Sequence, residues 1–247
     1  MLLTPRKLPW LERAYAAYGR RLLRRAFSRV WLGGVAWPAG DGPLIAYLNH
    51  SAWWDPIVAL YLSHDVLRRD GYGIMQGAQL RRYPFFRRVG CFGVTGDAVD
   101  DVRTLATYAA ALLRGGPRRA LWIFPQGELL PERVPLVFRS GTARLGRAVP
   151  DAPLVPIALR YALRADQRPE LFVRVGAPVR AGGLGALGEA PAHLTRRLER
   201  GLREELDHLD ADLLHPDPPG YRTVLTGRGS LAALYDRTFG RRRAREG

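Results

Sequence analysis

A histidine and an aspartate in the most polar loop of the chain have the types and spacing needed for acid–base chemistry. His50 and Asp55 belong to the run Asn49-His50-Ser51-Ala52-Trp53-Trp54-Asp55-Pro56. This spacing lets the carboxylate return to the imidazole, fix one ring nitrogen and leave the other as a general base for a hydroxyl or water. The pair is two thirds of a Ser-His-Asp arrangement without an enzyme nucleophile, so the attacking group would be the substrate's own hydroxyl.

The flanking elements explain how this loop is positioned. The apolar run Leu44–Leu48 predicts a strand, and Asp55 as N-cap with Pro56 at the first helical position predicts a helix over Pro56–Leu67. His50 then lies at the carboxyl end of a strand, where α/β proteins place their sites, and the helix start could supply a dipole for an oxyanion. The spacing leaves one alternative open, in which Asp55 only caps the helix and His50 is an ordinary loop residue.

A second motif follows another apolar strand and turns sharply through Pro and Gly. It consists of Phe124, Pro125, Gln126, Gly127 and Glu128. Together with the first loop it resembles the lysophospholipid/glycerolipid acyltransferase family, typified by 1-acylglycerol-3-phosphate acyltransferases. The blocks that carry the resemblance stand in the family's order over about residues 44–179: Asn49-His50 with Asp55, Gly90-Cys91-Phe92, Phe124-Pro125 with Gly127, Phe138-Arg139-Ser140-Gly141, and Val155-Pro156-Ile157.

The resemblance implies acyl transfer from acyl-CoA or acyl-carrier protein to a lipid hydroxyl, with no cofactor beyond that co-substrate and no metal. His50 would be the general base and Asp55 its orienting partner, without a covalent acyl-enzyme. We expect His50→Ala to abolish transfer and Asp55→Asn to lose most activity through the wrong tautomer. The resemblance assigns substrate contacts to Asn49, Ser51, Phe124, Pro125, Gln126, Gly127, Glu128 and Arg139.

Departures from the family pattern in the second and third blocks concern the acceptor. In the third block, Gln126 and Glu128 stand where the family usually has Glu and Thr, and Leu129-Leu130-Pro131 replaces the Arg that often follows in phosphate-handling members. Gly96 stands where the second block normally ends in an Arg that grips the acceptor's phosphate. Two interpretations follow. Either Arg133 or Arg139 replaces that Arg, or the acceptor lacks a phosphate, as an aminolipid, a glycolipid or a carotenoid-type hydroxyl would.

The large net charge of the chain does not by itself identify a binding partner. Among 247 residues, 38 Lys+Arg face 23 Asp+Glu, which gives +15 at pH 7. Lys7 is the only lysine, so the excess is arginine and reflects overall composition as much as a partner. A nucleic-acid-binding protein is one rival interpretation, but no RNP-like, helix-turn-helix or zinc-finger signature supports it. A second rival is an inactive relative that only binds lipid.

The remaining composition narrows the class further. A single cysteine, Cys91, excludes an intramolecular disulfide and a cysteine-based metal site, and it fits a reducing compartment. A mean hydropathy of −0.16 argues against a protein with several membrane spans. Asp100-Asp101 has no neighbouring ligand-type residues and is expected to begin an exposed helix.

Periodicity along the chain predicts an α/β fold, with a mixed sheet flanked by helices and an N-terminal amphipathic helical segment. The predicted strands are Leu44–Leu48, Tyr72–Met75, Cys91–Val94, Ala120–Phe124, Leu154–Tyr161 and Leu171–Val175. The predicted helices after the first are Pro56–Leu67, Ala98–Leu113, Val137–Val149, Ala192–Leu214 and Ser230–Arg241.

We expect three regions: a basic membrane-association segment at 1–40, an acyltransferase domain at 41–215 and a basic helical tail at 216–247. Within the first, Leu8–Trp31 predicts one helix with arginines among Trp and Tyr, which is typical of a segment lying in a membrane interface. The alternative is an amphipathic helix packed on its own domain. The first interpretation predicts a peripheral protein on the cytoplasmic face of the membrane, with the membrane surface and a lipid acceptor as partners and no nucleic acid.

Overall fold

The computed structural model describes residues 1–96, 98–164, 166–181, 189–215 and 217–228. Within them a mixed sheet is flanked by helices, which confirms the predicted fold class. The strands are β1 Leu2–Leu3, β2 Arg29–Gly34, β3 Leu44–Leu48, β4 Asp70–Ile74, β5 Cys91–Val94, β6 Arg119–Ile123, β7 Leu154–Ala162, β8 Glu170–Val175 and β9 Arg222–Thr226. The helices are α1 Pro9–Ala26, α2 Asp55–Tyr61, α3 Gly77–Arg82, α4 Phe85–Arg88, α5 Val99–Arg114, α6 Gly141–Ala148 and α7 Pro191–Asp212, with a π-helical turn at Leu62–Val66.

The sheet has the order β1-β5-β4-β6-β3-β7-β8-β2-β9. Its central strands β5, β4, β6, β3 and β7 are parallel, so their carboxyl ends share one edge. Strands β8 and β2 run the other way, and the short β1 and β9 pair antiparallel at the two ends. Strand β3 lies in the middle of the sheet and is buried on both faces, as parallel strands covered by helices usually are.

Two apolar cores lie on opposite faces of the sheet. Helices α5, α6 and α7 pack on one face, and α1 and α2 pack on the other. Side chains of β3 alternate between the two, with Tyr47 in the first core and Leu48 in the second. The loop after Leu48 is therefore anchored by a strand that is held from both sides.

The first predicted helix is too long by five residues. Helix α1 ends at Ala26, and Val30 and Trp31 lie in strand β2. The chain leaves the helix because the amide of Ser28 bonds the carbonyl oxygen of Pro169, after which Val30 pairs with Leu171 of β8. Tertiary strand pairing thus overrides an apolar pattern that fits either structure.

Two other predicted helices begin or end elsewhere. The segment from Val137 to Ser140 is a loop and not the start of α6, because the amide of Phe138 bonds the Glu199 carboxylate and the amide of Arg139 bonds the Pro125 carbonyl. Helix α2 stops at Tyr61, where the backbone widens into the π-helical turn.

The sheet crosses both predicted region boundaries. Strand β2 lies before residue 41 and strand β9 lies after residue 215, and the two strands pair with each other beside β8. Residues 1–40 are therefore not purely helical, because they contribute a buried strand. The predicted helix Ser230–Arg241 lies outside the described residues.

Candidate active site

The loop after β3 brings His50 and Asp55 together. His50 Nδ1 lies 2.8 Å from Asp55 Oδ2, and the same oxygen accepts hydrogen bonds from the amides of Ser51 (2.8 Å) and Ala52 (2.9 Å). The Asp55 side chain is fully buried, whereas 17% of the His50 side chain is exposed. The imidazole is thus held at one nitrogen, and its Nε2 makes no hydrogen bond to the described part of the chain.

Asp55 does not cap helix α2, which corrects the sequence interpretation. The helix begins at Asp55 itself, its N-cap position is Trp54, and no side chain bonds the first helical amides. The carboxylate instead turns back to the loop amides of Ser51 and Ala52. These two amides are consequently occupied and are not free to hold an oxyanion.

Tyr161 completes the surroundings of the aspartate, and the motifs did not single it out. Its hydroxyl donates to Asp55 Oδ1 at 2.5 Å. Burial and then the Asp55 carboxylate raise the pKa of Tyr161 above its ordinary value, so the hydroxyl keeps its proton. One signal in the sequence was available: Tyr161 ends a predicted strand, and strand ends on one sheet edge meet.

The predicted turn after β6 contacts the histidine directly. The Phe124 ring stacks on the His50 imidazole with centroids 4.3 Å apart and planes 23° apart. Gln126 is buried, and its Oε1 accepts the backbone amide of His50 at 2.7 Å. Gly127 has a φ of +79°, and Gln76 donates to its carbonyl oxygen at 2.8 Å. The glutamine found in place of the family's glutamate therefore joins the two loops.

Asn49 and Ser51 lie beside the pair. The Asn49 amide is buried, donates to the Leu159 carbonyl at 3.1 Å and accepts the Leu159 amide at 2.8 Å, so it extends the pairing of β3 with β7. The Ser51 hydroxyl lies 3.5 Å from Asn49 Nδ2. Both residues form part of the wall of the groove described below.

The remaining predicted contacts lie at the rim. Pro125 accepts the Arg139 amide at 2.9 Å, and the Arg139 guanidinium lies 3.9 Å from the Glu128 carboxylate. More than half of each of these two side chains is exposed. At Gly96 a Cβ would lie 2.2 Å from an Asp101 carboxylate oxygen, so an acidic group occupies the space of a side chain at this position.

A groove of about 210 Å³ adjoins the loop on the side of α7. Its wall consists of Asn49, Ser51, Gln126, residues 130–136, Arg160, Arg203, Leu206 and Asp207. Arg160 is held by Asp210 through contacts of 2.6 and 2.8 Å. Burial raises the pKa of Glu132 above its ordinary value. The groove is therefore polar and carries charges of both signs.

Among the described residues, no group of three or more His, Cys, Asp or Glu side chains is arranged to hold a metal ion. No described helix combines the length and apolar character required to cross a membrane.

Comparison with known proteins agrees with the geometry. The Acyltransferase family model matches residues 20–160, more than half of the chain. Among solved structures, the fold is similar to the 1-acyl-sn-glycerophosphate acyltransferase PlsC of Thermotoga maritima, with a TM-score of 0.59 and 19% identity over 81% of this chain and 80% of that one. No curated protein sequence matches the chain. The resemblance drawn from the motifs is confirmed, and the chain belongs to the acyltransferase family.

Proposed function

We propose that this protein transfers a fatty acyl group from acyl-CoA or acyl-carrier protein to a hydroxyl of a lysophospholipid-type acceptor, with His50 as general base. The observation that carries the proposal is the contact of His50 Nδ1 with the buried Asp55 carboxylate at the end of β3. A partner on Nδ1 leaves Nε2 as the basic atom facing a substrate. The acyltransferase family and the similarity to PlsC support this acceptor class.

In the proposed step His50 serves both proton transfers. His50 Nε2 takes the proton of the acceptor hydroxyl while its oxygen bonds the thioester carbonyl carbon. The tetrahedral intermediate then collapses, the carbon–sulfur bond breaks, and the imidazolium returns the proton to the thiolate. The products are an ester and a free thiol. The Asp55 carboxylate stabilises the imidazolium between the two proton transfers.

We propose that the protein acts on a membrane surface, peripherally and on the cytoplasmic face. Four aromatic side chains are 39–65% exposed. Trp10 and Tyr18 lie in α1, Phe85 is the first residue of α4, and Tyr83 lies two residues before it. We call them the aromatic patch. Arginines of α1, α3 and α4 accompany it, and aromatic rings with arginines suit the interface of an anionic bilayer.

A phosphate-free lipid acceptor is the second candidate, and one observation favours it. Where phosphate-handling relatives of the resembled family carry an Arg, this chain has Gly96 with the Asp101 carboxylate against it. The carboxylate oxygen next to Gly96 opposes a phosphate, while the other oxygen of Asp101 is paired with the N-terminal ammonium group at 3.1 Å. The exposed Arg139 and the groove residue Arg133 are the alternative phosphate contacts.

The activity is tested by thiol release from palmitoyl-CoA, and separately from palmitoyl-acyl-carrier protein, with lysophosphatidate added in mixed micelles. We expect His50→Ala to lower lysolipid-dependent release by about 10³-fold or more. His64→Ala is the matched control, because His64 is exposed and its Nδ1 lies 3.5 Å from the Asp65 carboxylate, away from His50 and Asp55 in the chain. Wild-type turnover in the His50 variant would refute the mechanism.

The acceptor is tested with lysophosphatidate, monoacylglycerol and a monoacyl glycolipid side by side. A preference for lysophosphatidate, with its KM raised by Arg133→Ala or Arg139→Ala, supports a phosphate-bearing acceptor. Preference for either uncharged lipid, with no effect of the arginine variants, supports the second candidate. Absence of transfer to all three, with retained vesicle binding, would indicate a non-catalytic lipid-binding relative.

A further inference from the structure

We propose that Tyr161 is a positioning residue of this site, which orients the Asp55 carboxylate through its hydroxyl and through Asp55 fixes the His50 imidazole. The proposal rests on the proposed function for its kinetic consequences. Tyr161 lies 106 residues from Asp55 in the chain and outside the motifs that identify the family. It touches neither reacting atom, so its contribution is indirect.

The distribution of donors around Asp55 gives the tyrosine its role. Oδ2 faces three groups, namely His50 Nδ1 and the amides of Ser51 and Ala52. Oδ1 has one donor among the described residues, the Tyr161 hydroxyl. Because the carboxylate is fully buried, loss of this donor would leave a charged oxygen without a partner, and such an oxygen is costly. The carboxylate would then be held through Oδ2 alone, and its orientation against the imidazole would be less firmly fixed.

The tyrosine is itself held firmly. Strand β7 pairs it with Leu171 of β8, and its ring packs on Phe27 with centroids 5.7 Å apart. The preceding residue, Arg160, is fixed by its two contacts with Asp210 of α7. The Tyr161 hydroxyl is thus carried by a residue of the sheet, whereas His50 lies in the loop after β3. This arrangement transfers the rigidity of the sheet to the catalytic pair.

The hydrogen bond also affects the charge that the imidazole senses. A hydroxyl donated to Oδ1 withdraws part of the negative charge of the carboxylate from the ring. Glu132, from the loop along the groove, acts on both Tyr161 and Asp55. Glu132 is in turn faced by Arg160 and Asp210. Removing the hydroxyl therefore strengthens the attraction between Asp55 and the protonated ring. We expect the acid side of the pH–rate profile to move to higher pH.

The test compares Tyr161→Phe with Tyr47→Phe. Tyr47 is a buried tyrosine of β3 whose hydroxyl has no hydrogen-bond partner among the described residues, so its variant removes the same atom without breaking a bond. Turnover is measured with palmitoyl-CoA and the acceptor of the panel above that the wild type uses fastest. We expect kcat to fall about tenfold in Tyr161→Phe, with KM changed little and the acid side of the profile shifted upward. Tyr47→Phe should match the wild type in all three.

A substrate-free measurement accompanies the kinetics. The downfield proton resonance of His50 Nδ1–H, identified by its loss in His50→Ala, should move or broaden in Tyr161→Phe and stay unchanged in Tyr47→Phe. An unmoved resonance together with wild-type kcat and an unmoved pH profile would overturn the proposal. The proposal would also be overturned if kcat of Tyr161→Phe fell only in proportion to the fraction of the variant that is folded. Failure of the proposed function is separate, because it would appear as full activity of His50→Ala.

Discussion

At the scale of single residues, Asp55 is the centre of the site. A lone buried carboxylate is unfavourable, and this one is stabilised by four groups: an imidazole, two backbone amides and a tyrosine hydroxyl. The two amides belong to residues directly after His50. The loop therefore folds around the carboxylate, and the same contacts that stabilise the charge also place the histidine.

Asp55→Asn should lower kcat by about 100-fold and keep the fold. The amides of Ser51 and Ala52 require an acceptor at the Oδ2 position, so the Asn oxygen will occupy it and its NH₂ will face Tyr161. The His50 tautomer then persists, and the loss comes from the missing charge. Steady-state kinetics with circular dichroism checks this. A loss of about 10⁴-fold would instead indicate the wrong tautomer that the sequence alone suggested.

Gly127→Ala should destabilise the turn after β6 by about 1–2 kcal/mol. The residue has a φ of +79°, and a Cβ would lie 2.8 Å from Arg139 Nε. Arg139 must move aside, so the KM for lysophosphatidate should rise more than the KM for monoacylglycerol if Arg139 contacts a phosphate. Chemical denaturation and kinetics measure the two effects. Gly42→Ala, with open space around its Cβ position, is the control.

At the scale of elements, helix α1 has one buried face and one exposed face. Ala16, Gly19 and Leu23 are buried against the domain, which fits the packed-helix alternative left open by the sequence. Trp10 and Tyr18 are exposed, which leaves the membrane interpretation as a proposal for the other face. The sequence pattern showed an apolar face and a basic face but not which surface each one met.

Leu23→Ala should lower the free energy of unfolding by about 3 kcal/mol, because the side chain is fully buried in the core below α1 and α2. Arg21→Gln, at an exposed position of the same helix, should change it by less than about 0.5 kcal/mol. Urea denaturation measures both. Equal stability of the two variants would contradict the packing of α1 on the sheet.

At the scale of the whole molecule, the charge of +15 is informative only through its placement. Many arginines are already paired within the described residues, as in the contacts of Arg160 with Asp210 and of Arg174 with Glu205 and Asp212. Arginines of α1, α3 and α4 accompany the aromatic patch, and most of them are exposed, although Arg20 also pairs with Asp65. A membrane partner would therefore sense a local field rather than the net charge.

The protein should bind vesicles containing phosphatidylglycerol more strongly than phosphatidylcholine vesicles, and salt raised from about 0.05 M to about 0.5 M should weaken that binding. Trp10→Ser with Tyr18→Ser should reduce it further. Leu214→Ser is the matched control, since this exposed leucine follows α7 on the opposite face of the sheet. Sedimentation with vesicles checks all variants. An equal loss of vesicle binding in Leu214→Ser would show that any exposed apolar side chain contributes, which would contradict a role of the aromatic patch.

The family, the α/β class and the pairing of His50 with Asp55 were predictable from the sequence alone, because these depend on local runs and short spacings. His50 and Asp55 are five residues apart, and Phe124 and Gly127 follow a strand whose end is visible in the pattern. Such features are encoded within a few residues and need no knowledge of distant contacts.

Features that depend on pairing between distant parts of the chain became visible only in the folded protein. Val30 and Trp31, predicted as helix, form a strand because β8 supplies hydrogen bonds that local periodicity cannot anticipate. The fold also places Tyr161 against Asp55 and Gln126 against the His50 amide. A hydrogen bond between residues far apart in the chain leaves no trace in spacing, because it arises from the register of neighbouring strands.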